Sequence, residues 1–107
     1  MTETLHDLRL EDDNKNIIAK YNIYIGDIIK LIYENISEEK LNQTKYLKII
    51  SPWEDISFNY FQAKTLAEEF EGISANCKIK EDKEKIKSIV EFISKTQKHL
   101  FINFYAD

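Results

Sequence analysis

His99-Leu100-Phe101-Ile102-Asn103-Phe104-Tyr105 is the stretch on which the fold class turns. It alternates and is rich in aromatic and β-branched residues, the pattern of a half-buried strand, so residues 100–105 are expected to be extended. Without it the chain would read as all helix. A strand this hydrophobic needs a neighbour, because an unpaired edge of its kind aggregates. Working outward, Tyr46-Leu47-Lys48-Ile49-Ile50 offers the matching pattern and stops at Ser51-Pro52. Proline has no N–H to donate and biases Ser51 toward extended geometry, which suits a strand entering a loop. The expected class is therefore α+β: a helix-dominated single domain with a small sheet from two short strands, 46–50 and 100–105. Strand direction stays open.

The helices are read from spacing. Ile17, Tyr21, Ile25, Ile28, Ile32 and Ile36 recur at steps of four and three, so a first helix is expected from Asn14, capped by Asp13 or Asn14. Ser37 followed by Glu38 and Glu39 reads as an N-cap with acids in the first turn of a brief second helix. Asn59 and Gln62 have capping-box spacing, and Phe61, Leu66, Phe70 and Ile73 form an approximate stripe ended near Gly72. Ile86, Ile89, Val90 and Ile93 make the apolar face of a last helix. Residues 1–13 hold five acids and one arginine and are expected to form an extended arm or short turn.

Composition narrows the class. The chain has 107 residues, enough for one domain, and at 43% hydrophobic and 12% aromatic it is too apolar to be disordered. Two glycines and one proline cannot supply the turns of an all-β sandwich. A single cysteine, Cys77, excludes an internal disulfide framework and a cysteine-based zinc site. The first residues lack a hydrophobic stretch of secretory length, and no apolar run is long enough to span a membrane, so a cytoplasmic location is expected.

Catalytic chemistry is hard to find. His6 and His99 stand in no recurring acid–base or metal spacing, and no phosphate loop or nucleophile elbow is present. Cys77 and His99 would form a nucleophilic pair only if folding brought them together, and a small buried hydrophobe is the commoner role for such a cysteine. The acids lack the spacing and glycine of a calcium loop. No enzyme, cofactor or metal is expected.

Charge is more informative. The net charge is −4. Residues 54–71 hold Glu54, Asp55, Glu68, Glu69 and Glu71 against Lys64, while residues 78–98 are lysine-rich. Mixed charge of this sort often does no more than keep a surface solvated. Alternatively an acidic face meets a basic partner. Within Ser51-Pro52-Trp53-Glu54-Asp55-Ile56-Ser57-Phe58-Asn59-Tyr60-Phe61, the only tryptophan sits beside two acids. Trp53 and Phe58 could anchor a loop over the core, or Trp53, Glu54, Asp55 and Tyr60 could bind a basic surface. A competing reading gives the lysine-rich 78–98 helix to nucleic acid. The overall acidity and the single arginine, Arg9, oppose it, so no nucleic-acid partner is expected.

The Tyr21-Asn22 pair, the run Tyr46-Leu47-Lys48-Ile49-Ile50-Ser51-Pro52-Trp53-Glu54-Asp55, then Phe58-Asn59 with Gln62, and the end His99-Leu100-Phe101-Ile102-Asn103-Phe104-Tyr105-Ala106-Asp107 together resemble small bacterial immunity proteins of contact-dependent growth inhibition and related toxin systems. That pattern carries glycine where Glu54 and Ala106 stand here. The resemblance implies a non-catalytic inhibitor of a cognate toxin domain, often a nuclease with a cationic cleft, and transfers no binding residues. Trp53, Glu54, Asp55, Tyr60, Glu68, Glu69 and Glu71 are the candidate partner-binding residues.

Overall fold

The computed structural model describes residues 8–106. They form an α+β domain with four strands in one antiparallel sheet. Strands β1 (Leu8–Asp12), β2 (Ile17–Tyr21), β3 (Ile56–Phe58) and β4 (Leu100–Phe104) lie in the order β2-β1-β4-β3. The helices are α1 (Ile25–Asn35), α2 (Glu38–Asn42), α3 (Tyr60–Ser74) and α4 (Lys80–Ile93).

The expected 100–105 strand is present as β4, but the sheet has four strands rather than two, and three of them correct the sequence reading. Where an acidic arm was expected, residues 8–12 are an inner strand; residues 1–7 lie outside the described residues. Leu8 and Leu10 alternate with Arg9 and Glu11, and the two leucines sit opposite Phe104 and Ile102 of β4. Alternation puts these four apolar side chains on the helix-covered side of the sheet. All four are buried, at 3% exposure or less.

The expected helix from Asn14 splits in two. Asp13 and Asn14 form part of a hairpin turn, not a helix cap. Asp12 Oδ1 accepts from the amides of Asn14 (2.9 Å) and Asn16 (2.8 Å), and Oδ2 accepts from Asn16 Nδ2 (3.0 Å). These bonds, that from the Asn16 amide first, hold the Asp12 carboxyl below its ordinary pKa. Lys15 takes the left-handed conformation that closes the turn (φ 66°). Ile17–Tyr21 then pairs with β1, and a register shift leaves Ile18 without a partner. Only from Ile25 does the isoleucine spacing act as a helix, burying Ile25, Ile28, Leu31 and Ile32.

Residues 46–50 are not a strand. Leu47–Ile49 is a 3-10 turn that buries Leu47 and Ile50. The place of β4's second neighbour is taken by β3, with Ile56 opposite Phe104 and Phe58 opposite Ile102.

The later helices follow the sequence closely. Ser37 accepts from the Lys40 amide to cap α2 (3.2 Å). The capping box of α3 is complete: Asn59 Oδ1 accepts from the Gln62 amide, and Gln62 Oε1 accepts from the Asn59 amide, both at 2.9 Å. Gly72 does not end α3, which runs on to Ser74. α3 and α4 pack together and close over the sheet, with Leu66, Phe70, Ile86 and Ile89 fully buried. Phe58 bridges the layers, meeting Phe104 edge-on at 5.8 Å and Tyr46 at 5.6 Å.

Phe70 has no exposed surface and sits in the middle of this cluster. Phe70→Ala is expected to cost about 3–5 kcal/mol of stability, read as a lowered urea midpoint, because the cavity cannot fully collapse.

Candidate functional site

Two neighbouring elements carry most of the candidate residues. The first is the 51–55 loop. Ser51 Oγ accepts from the Trp53 amide at 3.0 Å, which folds the backbone tightly around Pro52. At the far end, Asp55 Oδ1 accepts from the Ala106 amide at 2.8 Å. Trp53 projects between these anchors and is 85% exposed, with Glu54 and Asp55 exposed beside it. The core-anchor alternative is thus realised by Phe58, which is buried, and not by Trp53.

The second element is the start of α3, separated from the loop by the three residues of β3. Tyr60, Lys64, Glu68 and Glu71 succeed one another at helical steps and share a face. They line a shallow depression of about 400 Å³ with Ser94 and Thr96. Lys64 Nζ lies 4.8 Å from the centroid of the Tyr60 ring. Phe61, read from the sequence as part of the buried stripe, points outward instead and is 67% exposed, its ring 5.2 Å from that of Tyr60. The reason is phase. The buried face of α3 runs through Ala63, Leu66, Ala67, Phe70 and Ile73, and Phe61 is five residues from Leu66, off the three-and-four rhythm.

Glu69 does not join Glu68 and Glu71. Its carboxylate turns away and accepts three successive backbone amides: Lys45 at 2.6 Å on Oε2, and Tyr46 at 3.1 Å and Leu47 at 2.9 Å on Oε1. Such a nest of N–H groups is an anion site built from main chain. It also explains why residues 46–50 leave the sheet, since donors a ladder would need are already used. The candidate acidic cluster is therefore divided: Glu68 and Glu71 face solvent, and Glu69 holds the 3-10 turn.

A polar group on the side of the sheet away from the helices could not have been singled out from composition. Glu11 is 1% exposed. Its Oε1 accepts from Asn103 Nδ2 at 2.6 Å and from the Tyr105 hydroxyl at 2.5 Å. Arg9 stands 3.8 Å from Oε2, with its guanidinium carbon 4.5 Å from the Tyr105 ring centroid. Burial, then the bond to Glu11 and its charge, pushes the Tyr105 hydroxyl up to about 12. The one available signal was the Leu-Arg-Leu-Glu alternation, which places Arg9 and Glu11 on one side of an extended chain.

The nucleophile alternative finds little support. The Cys77 thiol is half-buried and its pKa is raised, by burial first and by Asp82 second, opposite to an activated thiolate. His99 is exposed, with a left-handed backbone (φ 74°). Among the described residues no three His, Cys, Asp or Glu side chains converge as metal ligands, and no helix is long and apolar enough to cross a membrane. A cavity of about 470 Å³ lies between the 21–24 turn, α1 and α4. Of its acids, Asp27, Glu81 and Asp82 occupy first turns of helices, where negative charge is favoured in any case, and Glu34 lies in the last turn of α1.

No protein-family model matches the chain, and no curated protein or solved structure matches it either.

Two consequences can be measured. Glu69→Ala strands three amides and is expected to cost about 2–3 kcal/mol in urea unfolding, while Glu68→Ala stays within about 0.5 kcal/mol. Raised above its unfolded value near 10, the Tyr105 hydroxyl stabilises the fold fully below about pH 10, and that contribution disappears as the pH climbs through about 12. The stability gap between the natural chain and Tyr105→Phe is accordingly constant up to about pH 10 and narrows above it.

Proposed function

We propose that this chain is a non-catalytic, cytoplasmic immunity-type protein that binds and neutralises a cognate toxin domain carrying a basic surface. The observation that carries the reading is Trp53, almost entirely exposed on a short anchored loop with Glu54 and Asp55 at its side. An exposed indole next to acids combines the two things a hot spot for a cationic partner uses, desolvated area and charge pairing. Phe61, Tyr60, Glu68 and Glu71 extend the same chemistry one element further along the chain. Glu69 is left out of the contact set, since its carboxylate is already occupied by the 45–47 backbone.

The mechanism is occlusion assisted by charge. A nuclease-type toxin presents cations to bind phosphate, and an acidic protein surface placed over them competes with the substrate. Attraction between the two fields also speeds encounter. The nucleic-acid alternative is less well supported. The exposed lysines of α4, Lys80, Lys83, Lys85 and Lys87, are interleaved with exposed Glu81 and Glu84, so no purely cationic face is offered to phosphates.

The reading expects the adjacent upstream gene to encode a toxin domain, and the test is co-expression of that gene product's C-terminal domain with this chain. Protection of the cells is expected, and growth arrest despite full expression of the chain would refute the reading. With that toxin domain purified, Trp53→Ala is expected to weaken binding by about 2 kcal/mol, roughly thirtyfold. Glu54→Lys with Asp55→Lys should slow association at low salt and flatten its dependence on ionic strength.

A further inference from the structure

Tyr105 and Ala106 lie beyond Phe104, the last residue of the β4 ladder, yet each is held by a side chain from elsewhere. The Tyr105 hydroxyl donates to Glu11 Oε1, and the next amide, that of Ala106, donates to Asp55 Oδ1. The two bonds differ in kind. Asp55 is exposed, so water competes for its carboxylate and the bond is weak by itself. Glu11 is 1% exposed and Tyr105 is half-buried, so water competes less for this bond than for the one at Asp55.

Backbone that has left a ladder is mobile unless tied down. Here the better-shielded bond sits one residue from the exposed one, and it keeps the Ala106 amide within reach of Asp55. Asn103 shows how firmly Glu11 is fixed. Its Nδ2 is given to Glu11, although this leaves its own Oδ1 buried without a hydrogen-bond partner. The amide is oriented for the glutamate at the expense of its oxygen.

We infer that Glu11, acting through Tyr105 and Ala106, is a positioning residue for the 51–55 loop and therefore for the presentation of Trp53. The consequence for partner binding rests on the proposed function, but the coupling exists in the free protein. A loop already held in its binding geometry loses less freedom on association, so the latch favours affinity without touching the partner.

Trp53 is the only tryptophan, so its fluorescence reports on the loop alone. In Tyr105→Phe, Trp53 anisotropy is expected to fall and hydrogen exchange at the Ala106 amide to quicken by more than at amides of the α3–α4 core, which follow only the change in global stability. Glu11→Gln keeps the accepting oxygen and is expected to retain the behaviour of the natural chain. Asp55→Ala, at an exposed position, tests the same coupling from the loop end and does not depend on Tyr105→Phe folding. It should loosen the loop equally and bring the late-ionising tyrosine to lower pH in an absorbance titration. The double variant Tyr105→Phe/Asp55→Ala should loosen the loop no more than either single one. Unchanged Trp53 anisotropy and Ala106 exchange in Tyr105→Phe, or an unmoved tyrosine titration in Asp55→Ala, overturns the inference. If the loop responds as described but toxin binding is absent, the coupling stands and only the proposed function falls.

Discussion

Strand β1 runs between β2 and β4, and the rest of the domain is arranged around that placement. Pairing it with β4 brings together groups 92 positions apart in the chain, as in the bond from Asn103 to Glu11. The entropy of closing so long a loop rises only slowly with length, but the contact must be found before it stabilises anything. Once formed, it turns the alternation Leu8-Arg9-Leu10-Glu11 into two chemically different sides. The leucines complete the hydrophobic layer beneath α1, α3 and α4. Arg9 and Glu11 organise the opposite side and take hold of Tyr105.

The candidate partner surface is held in place by bonds made elsewhere. Trp53 is exposed because Phe58, five residues later, fills the core position and leaves the loop to be anchored by polar groups at each end. Ser51 holds one end locally; Asp55 holds the other through the C-terminal segment. Similarly, the capping box at Asn59 and Gln62 sets where α3 begins, and that starting point decides that Phe61 faces outward. Glu69 uses its charge on backbone amides, so the outer acidic face belongs to Glu68 and Glu71. Three glutamates within four positions therefore have two distinct physical roles.

Much of the helical structure was legible because the relevant signals are local. The caps at Ser37 and Asn59 and the apolar face of Ile86, Ile89 and Ile93 depend on groups within a turn or two of each other. The strand at 100–104 was legible from its composition. Residues 17–21 were not, since isoleucines and a tyrosine at those positions fit a helical stripe and an extended strand equally well in so short a window. Residues 46–50 had a strand's composition too. Their state was decided by a carboxylate more than twenty positions away.

The sequence by itself determined the α+β class, the later helices and the presence of acids beside a single tryptophan. Those follow from residue identity and from spacing over a few positions. Only the tertiary structure decided that residues 8–12 form an inner strand, that Trp53 and Phe61 face solvent, and that Glu69 and Glu11 turn inward. Each of these depends on which distant donor or acceptor is present when the chain closes. A backbone amide or a carboxylate has no preferred partner until the fold supplies one.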